Sequence, residues 1–364
     1  MSQAMDTTEI CGWLREENPE RLKELWQRAD ETRRRHVGDE VHLRGLVEIS
    51  NFCARQCAYC GLRVGNNRLA RYRMPMDEIF AAAQKAVEFG YGTVVLQAGE
   101  DYGILAESLA GVVRRIKSET PLAVTLSMGE RPDEDLALWR KAGADRYLLR
   151  FETSDRDLFE AIHPPLGNQT CDRFAILRRL RKLGYEVGSG VMVGIPGQTY
   201  ASVAQDIALF RELDLDMIGI GPFIPHPATP LGNGVQNNST INGDQIPNTE
   251  LMVYKTVALT RLVRPDANIP ATTALATINK INGRELGLQR GANVFMPNLT
   301  PLKYRKLYEI YPDKACMSET GDACHGCLNG RIRTIGRYAG RGAGGRRDRQ
   351  EAEGPMVRKE FCHA

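Results

Sequence analysis

From Val41 onward the chain alternates short apolar runs of strand length with segments whose apolar residues recur at helical spacing. Residues 41–50, 93–97, 123–127, 146–152, 187–193, 217–222, 269–274 and 293–297 read as strands. Between them, 76–89, 105–118, 133–142, 172–183, 202–213, 250–262 and 284–290 read as amphipathic helices. Strict alternation of the two predicts parallel β/α units. Eight strands predict an α/β fold of one kind, a (β/α)8 barrel of TIM type with its chemistry at the C-terminal ends of the strands. Residues 5 to 36 read as helical, with Leu14, Leu22, Leu25 and Trp26 on an apolar face and Arg33 to Arg35 exposed. The chain thus divides into an N-terminal helical cap (1–40), the barrel (41–300) and a C-terminal extension (301–364).

Within the strands the two parities differ in character. Val41, Leu43, Val47 and Ile49 share one side of the first strand, and Arg44, Glu48 and Ser50 share the other. In the fourth, Arg146, Arg150 and Glu152 oppose Tyr147, Leu149 and Phe151, and Thr93 with Gln97 and Thr125 with Ser127 repeat the trend. A filled barrel interior uses branched aliphatic side chains. With the apolar parity turned to the helices, the lumen is polar and hollow. An ordinary core holding a few salt-bridged residues is the competing arrangement.

Composition narrows the setting. A net charge of +3 over 364 residues implies no nucleic-acid or membrane partner, and no apolar run reaches the ~20 residues of a membrane span. The first residues lack the basic-then-apolar pattern of a secretory signal, so nine cysteines read as ligands and thiols in a reduced, cytoplasmic setting. The stretch from Arg337 to Arg349 is rich in arginine and glycine. It suits a nucleic-acid arm or a flexible, barrel-covering tail, and the scarcity of stacking aromatics favours the tail.

The chemistry concentrates just after the first strand, where Cys53, Cys57 and Cys60 follow a C-x3-C-x2-C spacing. Three thiolates on one loop hold three corners of a cubane iron–sulfur cluster and leave the fourth iron open. A structural zinc site wants four closed ligands, and three buried thiols would not cluster in this way. With Tyr59 just before the last cysteine, the loop resembles the signature of the radical S-adenosylmethionine (SAM) enzymes. That resemblance implies a [4Fe-4S] cluster on Cys53, Cys57 and Cys60 as the catalytic metal site. It also implies SAM chelated to the open iron through its amino and carboxylate groups, and a 5′-deoxyadenosyl radical formed on one-electron reduction. Ala98-Gly99-Glu100 resembles the superfamily's Gly-Gly-Glu motif, with alanine in place of the first glycine. The cofactor-binding candidates are Tyr59, Gly99, Glu100, Glu152, Arg173 as the carboxylate fork, and Met192 in a glycine-rich fifth strand that suits an adenine face.

A second triad, Cys316-x7-Cys324-x2-Cys327 with His325 beside it, has the spacing of a further iron–sulfur cluster, with zinc as the competitor. Cys11, Cys171 and Cys362 read as plain thiols. The motifs His42-Leu-Arg44, Tyr59-Cys60-Gly-Leu-Arg63, Arg71-Tyr-Arg73-Met74, Gly219-Ile-Gly-Pro-Phe-Ile-Pro-His226 and Met296-Pro-Asn-Leu-Thr-Pro301 together resemble the HydE family of [FeFe]-hydrogenase maturases. The resemblance implies a role in building the diiron subcluster of the H-cluster, on a cysteine-bound iron carbonyl–cyanide species. It further implies other hydrogenase maturases and a reductant protein as partners. Arg44, Gln97, Thr125, Thr272, Thr273 and Tyr304 would then line the lumen and bind this organometallic substrate. Methylornithine synthase-like or biotin synthase-like chemistry on an amino-acid-type substrate is the alternative, and a non-catalytic iron–sulfur protein is a more distant one. Biotin synthase needs further cysteines in the lumen, and no predicted strand carries one.

Overall fold

A computed structural model describes residues 5–167, 171–233, 244–317 and 321–346, without the side chains of 321–324. Its strands are β1 (Glu40–Ser50), β2 (Thr93–Ala98), β3 (Ala123–Ser127), β4 (Arg146–Leu148), β5 (Glu186–Val193), β6 (Met217–Pro222), β7 (Val294–Phe295) and β8 (Tyr338–Ala339). They are parallel in the order β6-β5-β4-β3-β2-β1-β7, and β8 pairs with the start of β1.

The ring closes between β6 and β7 without a regular strand. Asn268 bridges Met217 and Pro270 bridges Val294. Backbone bonds from Ile218 N to Asn268 O (2.9 Å) and from Ala271 N to Val294 O (2.9 Å) complete the circuit. The predicted strand 269–274 is therefore corrected. Pro270 has no N–H to give a ladder, and Thr272 leaves the sheet to cap the helix Thr273–Ile278, accepting from Leu275 N. The predicted strand 146–152 is also shorter than expected, ending at Leu148, with one further pairing at Glu152.

Helices follow the strands as the apolar spacing predicts, and side-chain caps fix several starts. Asp172 accepts from Ala175 N, Thr249 from Met252 N, and Thr199 with Ser202 forms a reciprocal capping box. The odd-numbered face of β1 (Val41, Val47, Ile49) packs with Ile79, Ala83 and Ala86 of the helix Met76–Glu88 in one continuous core. The even-numbered face turns inward and brings Arg44, Leu46 and Glu48 to the lumen, where polar side chains share the wall with a larger apolar surface than the parity predicts. The fold is a TIM-type α/β barrel.

At the N-terminus two helices, Thr7–Arg15 and Pro19–Val37, pack outside the barrel on Tyr200–Glu212 and Glu250–Val263. Asn18 caps the second, and Gly38, at φ +75°, ends it. Arg33 is not exposed as expected. It is buried at 1% exposure, bonding Asp30, Asp39 and the Gly38 carbonyl. After β8 the chain runs beneath the N-terminal ends of the strands, with the Ala343 and Gly344 carbonyls under the barrel floor. No helix among the described residues is long and apolar enough to cross a membrane.

Candidate active site

The cysteine loop leaves the C-terminal end of β1 and is tied down by its own backbone. Ala54 N donates to Glu100 O (2.9 Å), Gly99 N donates to Ser50 O (3.1 Å), and the Arg71 guanidinium gathers the carbonyls of Asn51, Leu62 and Arg63. Gly99 is required by close approach rather than by φ. A Cβ there would stand 2.2 Å from the Phe52 carbonyl oxygen and 2.9 Å from Cys53 Cβ. On the other flank the His226 ring and the Glu309 carbonyl press on Gly61 in the same way.

Cys53, Cys57 and Cys60 all open onto a cavity of about 350 Å³ that fills the barrel. Tyr59, Glu100, Glu152, Arg173 and Met192 line its upper part. Burial, and for Cys57 and Cys60 the neighbouring sulfurs too, push the thiols up, Cys60 to about 12. Three such groups ionise together only beside a strongly positive centre, which a bound metal supplies. No fourth cysteine lines the cavity among the described residues. Glu152 adds a second sign of a missing ligand. Its φ is +63°, a conformation that costs a non-glycine residue free energy, and its buried Oε2 makes no hydrogen bond, only an ion pair with Arg150 Nη2 at 3.3 Å. The three-thiol donor set, with this strained glutamate on the same cavity, fits an iron–sulfur cluster with a polar ligand on its open face.

Glu100 is not disposed as a bare ammonium acceptor. Its Oε1 accepts from Arg55 Nε (2.5 Å) and the Tyr102 hydroxyl (2.8 Å), and its Oε2 from Glu130 N (2.9 Å). Glu130 in turn holds Arg55 Nη2 (2.7 Å), Arg173 Nε (2.9 Å) and the Cys171 thiol (2.8 Å). Arg173 also contacts His163 Nε2, and burial with that guanidinium pushes the imidazole down to about 3, so it is neutral. Cys171 is thus a partnered thiol, held up at about 12 mainly by burial and by Glu130. Glu130, His163 and Cys171 place their ligand atoms within 4.8 Å of one another. Two guanidinium groups already neutralise that carboxylate, which leaves no field to hold a cation. Sequence reasoning missed Arg55, Glu130 and His163. The one available signal was an arginine inside the cysteine loop.

Arg44, Gln97, Thr125, Thr272 and Thr273 also line the cavity. Tyr304 is elsewhere: it stacks on Tyr72 at 4.7 Å and its hydroxyl meets Glu78 (3.3 Å), outside the cavity lining. The expectation that it lines the lumen is corrected, because the short helix Leu302–Arg305 carries it against the barrel's outer side. The aromatic and cationic groups supplied by that part of the chain are Tyr308, Tyr311 and Lys314.

The second triad is described only in part. Cys316, at φ +65°, accepts from Arg284 Nη1 (3.5 Å), Cys327 is exposed, and the Cys324 side chain and Cys362 lie outside the described residues. His325 stacks on Phe89 at 4.8 Å.

The comparisons agree with this geometry. Residues 47–210 match the radical SAM superfamily. The chain is 48% identical over 323 residues to the [FeFe] hydrogenase maturase subunit HydE of Thermotoga maritima, covering 89% of this chain and 88% of that one. To the 3-methylornithine synthase of Methanosarcina acetivorans it is 28% identical, over 76% and 75% of the two chains. Its fold is shared with methylornithine synthase PylB (TM-score 0.76, 24% identity, 93% of this chain and 95% of that). It is shared also with the hydrogenase maturase HydG (TM-score 0.71, 18% identity, 92% and 72%). Identity of nearly half, across nearly all of both sequences, decides among these relatives: the chain belongs to the HydE family of [FeFe]-hydrogenase maturases, within the radical SAM enzymes.

Proposed function

We propose that this radical SAM enzyme serves [FeFe]-hydrogenase maturation by cleaving SAM reductively at the top of the barrel, to act on a cysteine-bound iron carbonyl–cyanide precursor held in the lumen. Cys53, Cys57 and Cys60 would hold the [4Fe-4S] cluster. Arg173 would receive the SAM carboxylate, Glu152 and the backbone around Gly99 its polar groups, and Tyr59 and Met192 the adenosine. When bound, the cluster and SAM supply one-electron reduction and a 5′-deoxyadenosyl radical. The chain's own residues bind, orient and shield. Arg55 and Arg173 are held in register by Glu130, and neutral His163 keeps a second positive charge away from the arginine.

The observation that carries the substrate reading is Arg44. It is buried in the lumen at 4% exposure, and no carboxylate pairs with it among the described residues. Burial and the nearby Arg146 draw its pKa down to about 9. An anionic ligand, carboxylate or cyanide, relieves that unpaired charge; Thr125 lines the same cavity, and its buried Oγ1 has no hydrogen-bond partner. Gln97, Thr272 and Thr273 complete the polar wall. Other maturases would deliver and receive the cargo, a reductant protein would supply the electron, and the C-terminal triad would hold a second, auxiliary cluster.

The test is anaerobic. Reconstituted enzyme with dithionite and SAM yields 5′-deoxyadenosine or its adduct, and Cys57→Ala abolishes that product. Complementing a host that lacks this maturase restores hydrogenase activity with the wild-type chain and not with Arg44→Leu. Activity retained in Cys57→Ala overturns the site.

A further inference from the structure

The described part of the arginine- and glycine-rich tail, residues 337–346, is absorbed by neither the cluster site nor the lumen wall, yet it is held by a dense set of hydrogen bonds and ion pairs. Past β8, Gly340 N donates to Val41 O (2.9 Å) and the chain turns inward beneath the barrel. Ala343 O accepts from Thr93 Oγ1 (2.9 Å) and Arg146 Nη2 (3.1 Å). Gly344 O accepts from Arg44 Nη2 (2.9 Å) and Asn268 Nδ2 (3.2 Å). All four donors sit at the N-terminal ends of the strands or beside them, and Arg44 and Asn268 also line the cavity. One backbone layer therefore separates the lumen from the underside.

The fit is close. A Cβ on Gly92 would stand 1.5 Å from the Gly342 carbonyl oxygen, and one on Gly344, itself at φ +58°, would stand 2.5 Å from the His42 ring. Arg346 then anchors the segment, with Nη1 on Asp214 (2.7 Å) and Asp216 (3.3 Å) and Nε on Asp266 (2.7 Å), at 8% exposure. A loose surface tail has no use for a buried arginine shared among three carboxylates.

We propose that residues 340–346 are a built-in stopper for the N-terminal mouth of the barrel, and that the Gly344 carbonyl positions Arg44 for the lumen ligand. The two donors of Arg44 that are spoken for, Nη1 to Met217 Sδ (2.9 Å) and Nη2 to Gly344 O, fix the plane of the guanidinium. The rest of the guanidinium edge borders the lumen. The stopper makes the cysteine end the entrance and leaves the floor as a wall that holds water away from the radical chemistry. The positioning half of the proposal rests on the lumen being the cargo site, and the sealing half does not.

Two measurements on full-length protein separate them. In Arg346→Ala, hydrogen–deuterium exchange rises at residues 40–46 and 92–96 while the cysteine loop 50–62 stays as protected as in wild type, and Arg346→Lys restores protection. In steady state Arg346→Ala raises the KM for the iron cargo about tenfold, the loss expected for one hydrogen bond to a charged group, with the KM for SAM unchanged. Unchanged exchange at the strand starts overturns the stopper, as does a rise spread evenly over the molecule. Raised exchange with both KM values unchanged overturns the positioning of Arg44 and leaves the seal standing. If the iron complex is not turned over by wild type, the lumen reading fails while the exchange result still decides the stopper.

Discussion

Lys314 Nζ meets Glu48 Oε1 at 2.5 Å inside the barrel, with side-chain exposures of 3% and 1%. Glu48 Oε2 accepts from Asn298 Nδ2 (3.1 Å), and Lys314 also reaches Tyr308 O (3.0 Å). The pair ties the segment after the barrel to the strand that feeds the cysteine loop. Removing one partner of a buried pair leaves a naked charge, at a cost of about 3–5 kcal/mol. Lys314→Met therefore lowers the urea midpoint sharply, and the double variant Glu48→Gln/Lys314→Met recovers most of the loss. A small effect of Lys314→Met alone would mean that the pair is solvated in solution.

Gly99→Ala forces the cysteine loop to move, because the new methyl group meets backbone rather than a flexible side chain. The expected outcome is a severe loss of iron on anaerobic reconstitution, with far-ultraviolet circular dichroism unchanged. Full iron content in this variant would show that the loop shifts without harm to its ligand geometry.

Glu130→Gln removes the charge that holds Arg55 and Arg173 while keeping the shape. Each charge-assisted bond is worth about 1.5–3 kcal/mol. The KM for SAM rises at least about tenfold and kcat changes much less, read from 5′-deoxyadenosine formation at varied SAM. Equal falls in kcat and kcat/KM would assign Glu130 to the chemical step instead.

Asp206 gives a pH test away from the site. It is fully buried on the helix Tyr200–Glu212, Ser154 N donates to its Oδ1 (2.6 Å), and burial raises its pKa to about 7. The native state then holds a proton that the unfolded chain releases near pH 4, so stability falls as pH rises from about 4 to about 7 and levels above that. Asp206→Asn keeps the acceptor, removes that slope and gains on the order of 4 kcal/mol near pH 8. Urea midpoints of metal-free protein at several pH values measure it, and a slope unchanged in the variant would place its cause elsewhere.

Much of the molecule was legible in the chain because strand parity and helical spacing are local. β3 and β6 begin and end where their apolar runs do, and the polar parity of β1 does face the cavity. What failed depended on partners far away in sequence. Residues 269–274 have the composition of a strand, but Pro270 cannot donate, and the Asn293 side chain does part of the pairing, accepting from Ile269 N (2.8 Å). Glu100 reads as a bare carboxylate until Arg55 and Glu130, 45 and 30 residues away, are folded against it. Arg346 reads only as part of a tail, since Asp214, Asp216 and Asp266 are far away in sequence, whereas Arg33 reads as exposed although its partners Asp30 and Asp39 lie close by in the chain. Tyr304 was misplaced because a four-residue helix turns it outward.

The join at Asn268–Ala271 has one more consequence. Here the main-chain pairing is broken into isolated bridges rather than a continuous run, and it is supplemented by two asparagine side chains, with Asn293 Nδ2 to Asn268 Oδ1 at 2.9 Å, and by Arg261 behind them. A cylinder fastened with side-chain amides along one edge parts there first when it breathes. Any widening to admit a bulky metal complex is then borne along that edge, next to β7 and only two places round the ring from the strand that feeds the sulfur-bearing loop.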